Sequence, residues 1–465
     1  MDPPRSCLDP DGVATLRPID TIFEAPMGAR SRSGCDTGPV SKEPLQPPRG
    51  TRDFYPEDLR QRNWLFEHFR ATAALFGFEE IDAPVLEHAE LFIRKAGEEI
   101  VDQLYHFTLH DRHLALRPEI TPQIARMVAA RRGALRLPLR WFSIPQCWRY
   151  ERMSRGRRRE HYQWNMDIWG EPGIDAEAEL IASIFHLLDR LGLERSEVTI
   201  RINSRALLEE TLRDTVLAKR PEVFPALCIA IDKLGKIGED AVVELLSDRK
   251  GLVGLPVEDA RFVLSFLKLR DIGEAEKVAR ANSPALADIS RLFELLDAYG
   301  HADRVAFDAS IVRGLAYYTG VVFEAFDSGR ELRAICGGGR YDQLLETLGG
   351  PATPAVGFGF GDSVIAEFLG EKQRIPELPR SLDAVVYAFS AAERAAAVRV
   401  ASALRADNRS VELVLGEPRL KRVMADADRA GAREVHLLGP DEVARGEVLI
   451  RDLTSGEQRS EPIPD

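Results

Sequence analysis

The sequence predicts an α+β protein, with an antiparallel, strand-rich first part broken by a helical block and then a small α/β unit. Three observations predict it. Residues 140–170 form two extended runs around a polar turn, and the second, "HYQWNMDIWG", alternates polar and apolar side chains. Residues 204–302 place apolar side chains at helical spacing, as in "DAVVELLSDRK" and "VEDARFVLSFLKL". From Leu382 onward, strand-like and helix-like segments take turns: "DAVVYAF", "AERAAAVRVASALRAD", "VELVL", "LKRVMADADRAGA", "EVHLLG".

The elements follow in order. Residues 1–46 are rich in proline, glycine and serine, with no helical or strand period. They lack the apolar core of a signal peptide, and their acidic residues argue against a transit peptide. They read as a disordered extension, within which Met27 offers a second start, and the cytoplasm is the expected location. Pro56 followed by Glu57 and Asp58 opens an amphipathic helix that Gly77 ends. "FEEIDAPVLE" is extended, and Pro84 suits it to an edge or interface strand. The hairpin "RWFSIPQCWRYE"/"HYQWNMDIWG" comes next, then a helix ("DAEAELIASIFHLLDRLGL") and a strand ("EVTIRIN"). After the helical block the reading gives strands at "YYTGVVFEAF", "ELRAIC" and "AVGFGFG", with a turn at "DSGR" and a glycine triplet at 337–339. The expected division is an extension at 1–46, a first domain in two parts (47–203 and 303–372) around an insertion at 204–302, a linker at 373–380 and a last domain at 381–465.

At 465 residues the chain is too long for one core. Its composition, 45% hydrophobic and 29% charged, is that of a soluble globular protein, and no apolar run approaches the ~18 residues of a membrane span. Cys7, Cys35, Cys147, Cys228 and Cys336 show neither CxxC pairs nor metal-ligand spacing, so no metal site is expected from them. "HDRH" at 110–113 reads as a solvated turn. A net charge of −12 argues against broad coating of nucleic acid, although a local basic surface suffices for binding.

Such a local surface exists. Six of the eleven residues from Arg149 to Arg159 are arginine. A lone charge run is usually a solvated face, but this one joins two strands whose polar face offers Arg149, Glu151, Gln163 and Asp167 side by side. The tyrosines Tyr317 and Tyr318 fit core packing as well as a pocket, Thr121 before Pro122 fits a helix cap, and Arg340 fits either phosphates or an ion pair.

Four stretches together, "RPEITPQIAR" (117–126), "RYERMSRGRRREHYQW" (149–164), "VRGLAYYTG" (312–320) and "GGGRYD" (337–342), resemble the histidyl-tRNA synthetases, a class II aminoacyl-tRNA synthetase family. The resemblance implies a class II antiparallel-sheet catalytic domain with a helical insertion and a C-terminal α/β anticodon-binding domain. It implies activation of L-histidine by ATP, taken with Mg2+, and transfer of the histidyl group to the 3′ end of tRNA(His), by a homodimer meeting through the Pro84 stretch and with no membrane partner. By the same resemblance, Arg149 and Arg313 are catalytic, meeting the α-phosphate, and Arg313 also meets the histidine carboxylate. Glu151 matches the adenine ligand and Arg157 one that reaches the terminal phosphates, while Arg340 is placed with the ATP ligands by its own chemistry, an ion pair staying equally open. Glu119, Thr121 and Gln163 match ammonium ligands, and Asp167 and Tyr318 match imidazole partners, with Tyr317 beside the latter in the histidine site. Arg152 and Ser154 are the expected contacts to the tRNA acceptor end, and Arg419, Lys421, Arg422 and Arg433 to its anticodon. Residues 381–465 hold 12 Lys and Arg against 15 Asp and Glu, so recognition there should rest on base contacts and a small patch.

The chemistry of the residue types agrees. A carboxylate attacking a phosphorus needs no base from the protein, only two anions held in line and their charge neutralised. Arginine, permanently charged and bidentate, suits that work. The pattern also breaks: aligning the glycines of "GFGFGDSVI" puts Val364 where the family carries an arginine over ATP, so Arg155, Arg158 or Arg340 is expected to supply that charge. Many members carry glutamate at Asp167 and aspartate at Ala316. The alternative is a non-catalytic, histidine-sensing regulatory subunit of ATP phosphoribosyltransferase, which such a loss would suit and which the C-terminal unit and "RGLAYYTG" argue against.

Overall fold

The computed structural model describes residues 46–93, 101–329 and 332–464. Apart from Gln46, the extension read at 1–46 lies outside the described residues. Pro56 sits at the first turn of the helix Pro56–Leu75, beside Glu57 and Asp58, where the helix dipole favours negative charge. Gly77, with φ +73°, turns the chain out of it. The buried face of this helix carries Leu65, Phe66, Phe69 and Ala73, and Phe69 stacks on Trp164 with ring centroids 5.2 Å apart.

That Trp belongs to a nine-stranded sheet. Its strands are β1 (Glu79–Glu80), β5 (Leu139–Ser143), β6 (Gln146–Trp148), β7 (Glu160–Trp169), β8 (Val198–Ser204), β9 (Val305–Phe307), β10 (Val321–Asp327), β11 (Cys336–Arg340) and β12 (Ala355–Gly361). They run in the order β1-β5-β7-β12-β11-β10-β8-β9, with β6 also on β7. The inner pairs are antiparallel, while β1 on β5 and β9 on β8 are parallel. A small three-stranded sheet stands apart, β2 (Leu86–His88), β4 (Arg112–Leu116) and β3 (His106–Leu109) in that order.

The alternation in β7 sorts its side chains as expected. Trp164, Met166 and Ile168 join the main core, which also takes Leu180, Ile184 and Phe185 of the helix Asp175–Arg190. His161, Gln163, Asn165 and Asp167 point to the other side. Helices fill residues 205–298, capped at the start by Ser204, whose hydroxyl accepts from Leu207 N at 3.2 Å, and again by Ser283 on Leu286 N at 3.1 Å. Leu227, Val242, Val263 and Ile289 from these helices share the sheet's core.

Three local expectations are corrected. The strand expected at "ELRAIC" begins at Cys336 and runs through the glycine triplet, and "YYTG" is loop, not strand. A glycine triplet often marks only a turn, whereas this one lies within the strand and the sheet needs it bare: a Cβ at Gly338 would land on Phe358 and Phe323. Thr121 does not cap its helix. It is the first helical residue of Thr121–Arg131, Ile120 holds the cap position, and no side chain caps it.

The C-terminal segment forms its own five-stranded sheet, with β14 (Val411–Leu413), β13 (Leu382–Ala388), β15 (Ala432–Leu438), β16 (Glu447–Asp452) and β17 (Gln458–Pro462) in that order. The helices Arg394–Ala406 and Leu420–Arg429 pack on it through Ala397 and Val400, and Val423 and Ala427. No helix among the described residues is long and apolar enough to cross a membrane.

Candidate active site

The polar face of β7 floors a cleft of about 640 Å³. Gln163, Asn165 and Asp167 stand opposite Gly361, Gly359 and Gly357 of β12, and Gly359 stands opposite Gly337 of β11. These glycines leave bare backbone where side chains would close the floor. A Cβ at Gly357 would land on the Tyr341 hydroxyl and Asp167, and one at Gly337 on the Arg313 guanidinium.

One end of the cleft is carboxylates and tyrosines. Glu119 and Thr121, at the start of their helix, are buried and line it. The Tyr317 hydroxyl donates to Glu119 at 2.9 Å, and the Tyr341 hydroxyl to Asp167. Tyr317, Tyr318 and Tyr341 pack together with ring centroids 5.0–6.2 Å apart. Burial pushes the Asp167 carboxyl up to about 7, the Tyr341 hydrogen bond opposes it, and the charge of Glu119 adds to it. The second oxygen of Asp167 is buried without a hydrogen-bond partner among the described residues. Burial also raises Glu119, against the pull of Arg149, the Tyr317 hydroxyl and Arg313. Gln163 lines the same wall.

The other end is basic. Arg149 leaves its strand with Nε donating to Pro118 O at 2.9 Å and its side chain in the cleft. Arg157 and Glu151 form an ion pair. Gly156, with φ +67°, makes the tight turn in which Ser154 and Arg157 exchange backbone hydrogen bonds. His161 lies under this turn. Burial, with Arg149, Arg52 and Arg157 adding, depresses its pKa to about 3, so it is neutral. Arg313 enters from the facing loop with φ +64°, a conformation few non-glycine residues adopt, and its guanidinium pairs with Glu324 of β10.

Arg149, Glu151, Arg157, Glu119, Thr121, Gln163, Arg313, Tyr317 and Tyr318 thus line one cleft, and Asp167 lies in its floor. Arg340 does not join them. Its Nε and Nη2 each lie 2.6 Å from Glu177, and it also donates to Glu171 O, Gly173 O and Asp342. Its expected contact with ATP is corrected in favour of the ion pair, the other reading its sequence allows: Nε and Nη2 are taken by the buried Glu177, and Nη1 by Glu171 O and Asp342. Arg155 is also engaged, with Glu371 and Glu367 of the helix Asp362–Glu371. Val364 is buried, near enough that a Cβ on Gly156 would sit 3.2 Å from its side chain. Of the three arginines expected to stand in for the missing charge, only Arg158 lines the cleft.

Arg152 and Ser154 are exposed on the turn outside this cavity, and Arg419, Lys421 and Arg422 are exposed around the start of the helix Leu420–Arg429. Arg422 is 3.5 Å from Asp426, and Arg433 is 3.4 Å from Asp383.

Several residues of the cleft were not legible in advance. Tyr341 lies within "GGGRYD", directly after Arg340. Glu324 could have been found as the lone charge in the apolar run "VVFEAF". Asp232 and Lys236 reach the cleft from the helical block, and no spacing in that block marks them.

Comparison with known proteins agrees with this geometry. Residues 50–362 match the family model for histidyl-tRNA synthetase, and residues 383–464 match an anticodon binding domain. Histidine--tRNA ligase, chloroplastic/mitochondrial, of Arabidopsis thaliana is 47% identical, over 98% of this chain and 94% of its own length. Histidine--tRNA ligase of Opitutus terrae is 40% identical, over 89% and 95%. The crystal structure of histidyl-tRNA synthetase from Nostoc sp. PCC 7120 superposes with a TM-score of 0.68 at 24% identity, covering 90% of this chain and 97% of that one. Fold, cleft and relatives converge: this chain belongs to the histidyl-tRNA synthetase family.

Proposed function

We propose that this protein is a histidine–tRNA ligase: it joins L-histidine to ATP as histidyl-adenylate, releases pyrophosphate, and passes the histidyl group to the terminal ribose of tRNA(His). The observation that carries this reading is the entry of Arg149 and Arg313 into one cleft from opposite walls, beside the buried Glu119–Tyr317 and Asp167–Tyr341 pairs.

Glu119, Thr121 and Gln163 take the ammonium of histidine. Asp167, Tyr317 and Tyr318 face its imidazole, whose one donor and one acceptor need polar partners. The histidine carboxylate then attacks the α-phosphorus while Arg149 and Arg313 neutralise the charge that accumulates on the phosphate and carboxylate oxygens. Glu151 takes the adenine amino group, and Arg157 exchanges Glu151 for the terminal phosphates. Arg158 replaces the charge absent at Val364. Among the described residues no group of three or more His, Cys, Asp or Glu side chains is placed to hold a metal. Mg2+ would come with ATP as the counter-ion of its phosphates, and no step here is routed through it.

In this scheme the acceptor end of the tRNA meets Arg152 and Ser154, and the anticodon meets the surface around Arg419, Lys421 and Arg422. Residues 47–203 and 303–372 form the catalytic domain, 204–302 its insertion, and 381–465 the anticodon-binding domain after a 373–380 linker. Val85, Leu86, Phe107 and Leu109 are exposed on and beside the small sheet, and this supports a homodimer through the Pro84 region. Cytoplasmic residence remains our reading, to be checked by fractionation, since the Arabidopsis relative is named as organellar. The regulatory-subunit alternative loses ground because the chain carries the whole anticodon-binding match.

The test is histidine-dependent exchange of labelled pyrophosphate into ATP, followed by charging of tRNA(His). Exchange with histidine alone among the amino acids is the expected result, and its absence would favour the regulatory alternative. Arg158→Ala should raise the ATP KM about tenfold, as for one charge-assisted contact, and Arg155→Ala should not.

A further inference from the structure

Arg205 opens the first helix of the helical block and is 1% exposed, yet it meets no carboxylate among its hydrogen-bond partners. Its guanidinium turns instead onto the backbone of the loop that carries Arg313. Nε donates to Val312 O at 2.8 Å, Nη1 to Tyr318 O at 3.2 Å, and Nη2 to Arg313 O. Its backbone N–H donates to Gly320 O at 2.9 Å, just past the loop. Two residues earlier, the Asn203 amide donates to Ala309 O at 2.9 Å and Ile311 O at 3.0 Å.

We infer that Arg205 is a positioning residue for the activation step: by gathering the carbonyls of Val312, Arg313 and Tyr318 it holds Arg313 in its left-handed backbone conformation and aims that guanidinium into the cleft. The inference rests on the activation reading above. A non-glycine residue at φ +64° is strained and persists only where its surroundings over-determine it. A planar fork of five donors can fix several carbonyls at once, and an ammonium cannot match that geometry. On the cleft side Arg313 has Glu324 as partner and the bare Gly337 beneath it. The backbone is thus fixed from behind by Arg205 and the side chain from in front by Glu324. The tyrosine that packs in the imidazole wall, Tyr318, is held by the same fork.

The experiment compares Arg205→Met and Arg205→Lys, each alone and combined with Arg313→Ala, in the full-length protein. Pyrophosphate exchange gives kcat and KM, and urea unfolding shows that each variant is folded. Loss of alignment at a reacting group costs on the order of 100-fold. Arg205→Met should therefore lose about that in kcat, with KM for histidine and ATP changed less than about threefold. Arg205→Lys, which keeps the charge and part of the donor set, should recover roughly tenfold of it. In the Arg313→Ala background neither change should lower kcat further, because the group being aimed is gone. A full multiplicative loss in that background, or normal kcat in folded Arg205→Met, overturns the inference. Should Arg205→Met not fold, Arg205→Lys carries the same comparison. An unsubstituted protein with no histidine-dependent exchange takes down the activation reading and this inference with it, and is a separate result.

Discussion

Replacing Arg340 with methionine should weaken the fold and leave the nucleotide untouched. The Arg340 guanidinium grips both oxygens of Glu177 at 2.6 Å, and Glu177 is fully buried. Three further bonds reach Glu171 O, Gly173 O and Asp342. Without Arg340, Glu177 keeps a buried carboxylate with no cation, a situation that costs about 3–5 kcal/mol. Against a typical total of about 5–15 kcal/mol that is a large fraction. Trp169, whose ring centroid is 5.7 Å from that of Tyr341 next to Arg340 in sequence, gives a fluorescence signal for urea unfolding. The variant should unfold at clearly lower urea, and Arg340→Met with Glu177→Leu should regain most of the loss, because a buried pair replaced whole is nearly neutral. The ATP KM should stay within about twofold, since no direct contact is removed. An unchanged urea midpoint together with a tenfold rise in ATP KM would refute the reasoning and return Arg340 to the nucleotide.

Gly337→Ala should lower kcat on the order of 100-fold while leaving stability nearly intact, because the atoms nearest the added methyl are the movable end of Arg313. Gly338→Ala should instead cost about 1–3 kcal/mol of stability, since its methyl meets Phe358, Phe323 and a backbone carbonyl; equal urea midpoints for the two would contradict this. Tyr317→Phe removes one hydrogen bond to the buried Glu119 and should raise the histidine KM about tenfold in exchange assays, with little change in kcat. Burial raises Asp167 from 3.8 to about 7. Its contribution to the ligand-free fold is therefore complete below the lower value and lost as pH rises through the upper one. Asp167→Asn should gain stability relative to the parent, on the order of 1–3 kcal/mol, between about pH 5 and about pH 8, and a pH-independent difference in urea midpoint would count against it.

What the sequence made legible followed from local rules. The period-2 alternation of β7 sorted Trp164, Met166 and Ile168 from Gln163, Asn165 and Asp167, because a strand has only two faces. Pro56 and Gly77 bracketed the first helix through backbone constraints that need no tertiary knowledge. Arg340 and the glycine triplet were harder, because their roles depend on neighbours far along the chain. Glu177 lies 163 residues from Arg340 and decides that it is a structural ion pair. Phe358 and Phe323 decide that Gly338 lies in a flat strand. The same distance hid Asp232, which reaches the cleft only because the helical block packs into the core of the sheet. Thr121 failed as a cap for a local reason: it is already the first helical residue, so the cap position falls one residue earlier, on Ile120, whose side chain cannot accept a hydrogen bond.

The order of strands in the large sheet sets a schedule for its assembly. β10, β11 and β12 form its middle but are translated last, after the helical block, whereas β7 and β8 on either side of them come before it. At about 5–20 residues per second, ribosomes need on the order of ten seconds to bridge that gap. Throughout it, the two flanking strands wait with facing edges open for neighbours not yet made. The glycine floor is thus a keystone laid at the end, and a nascent chain halted before Gly361 is no slow enzyme but a shell with nowhere to bind.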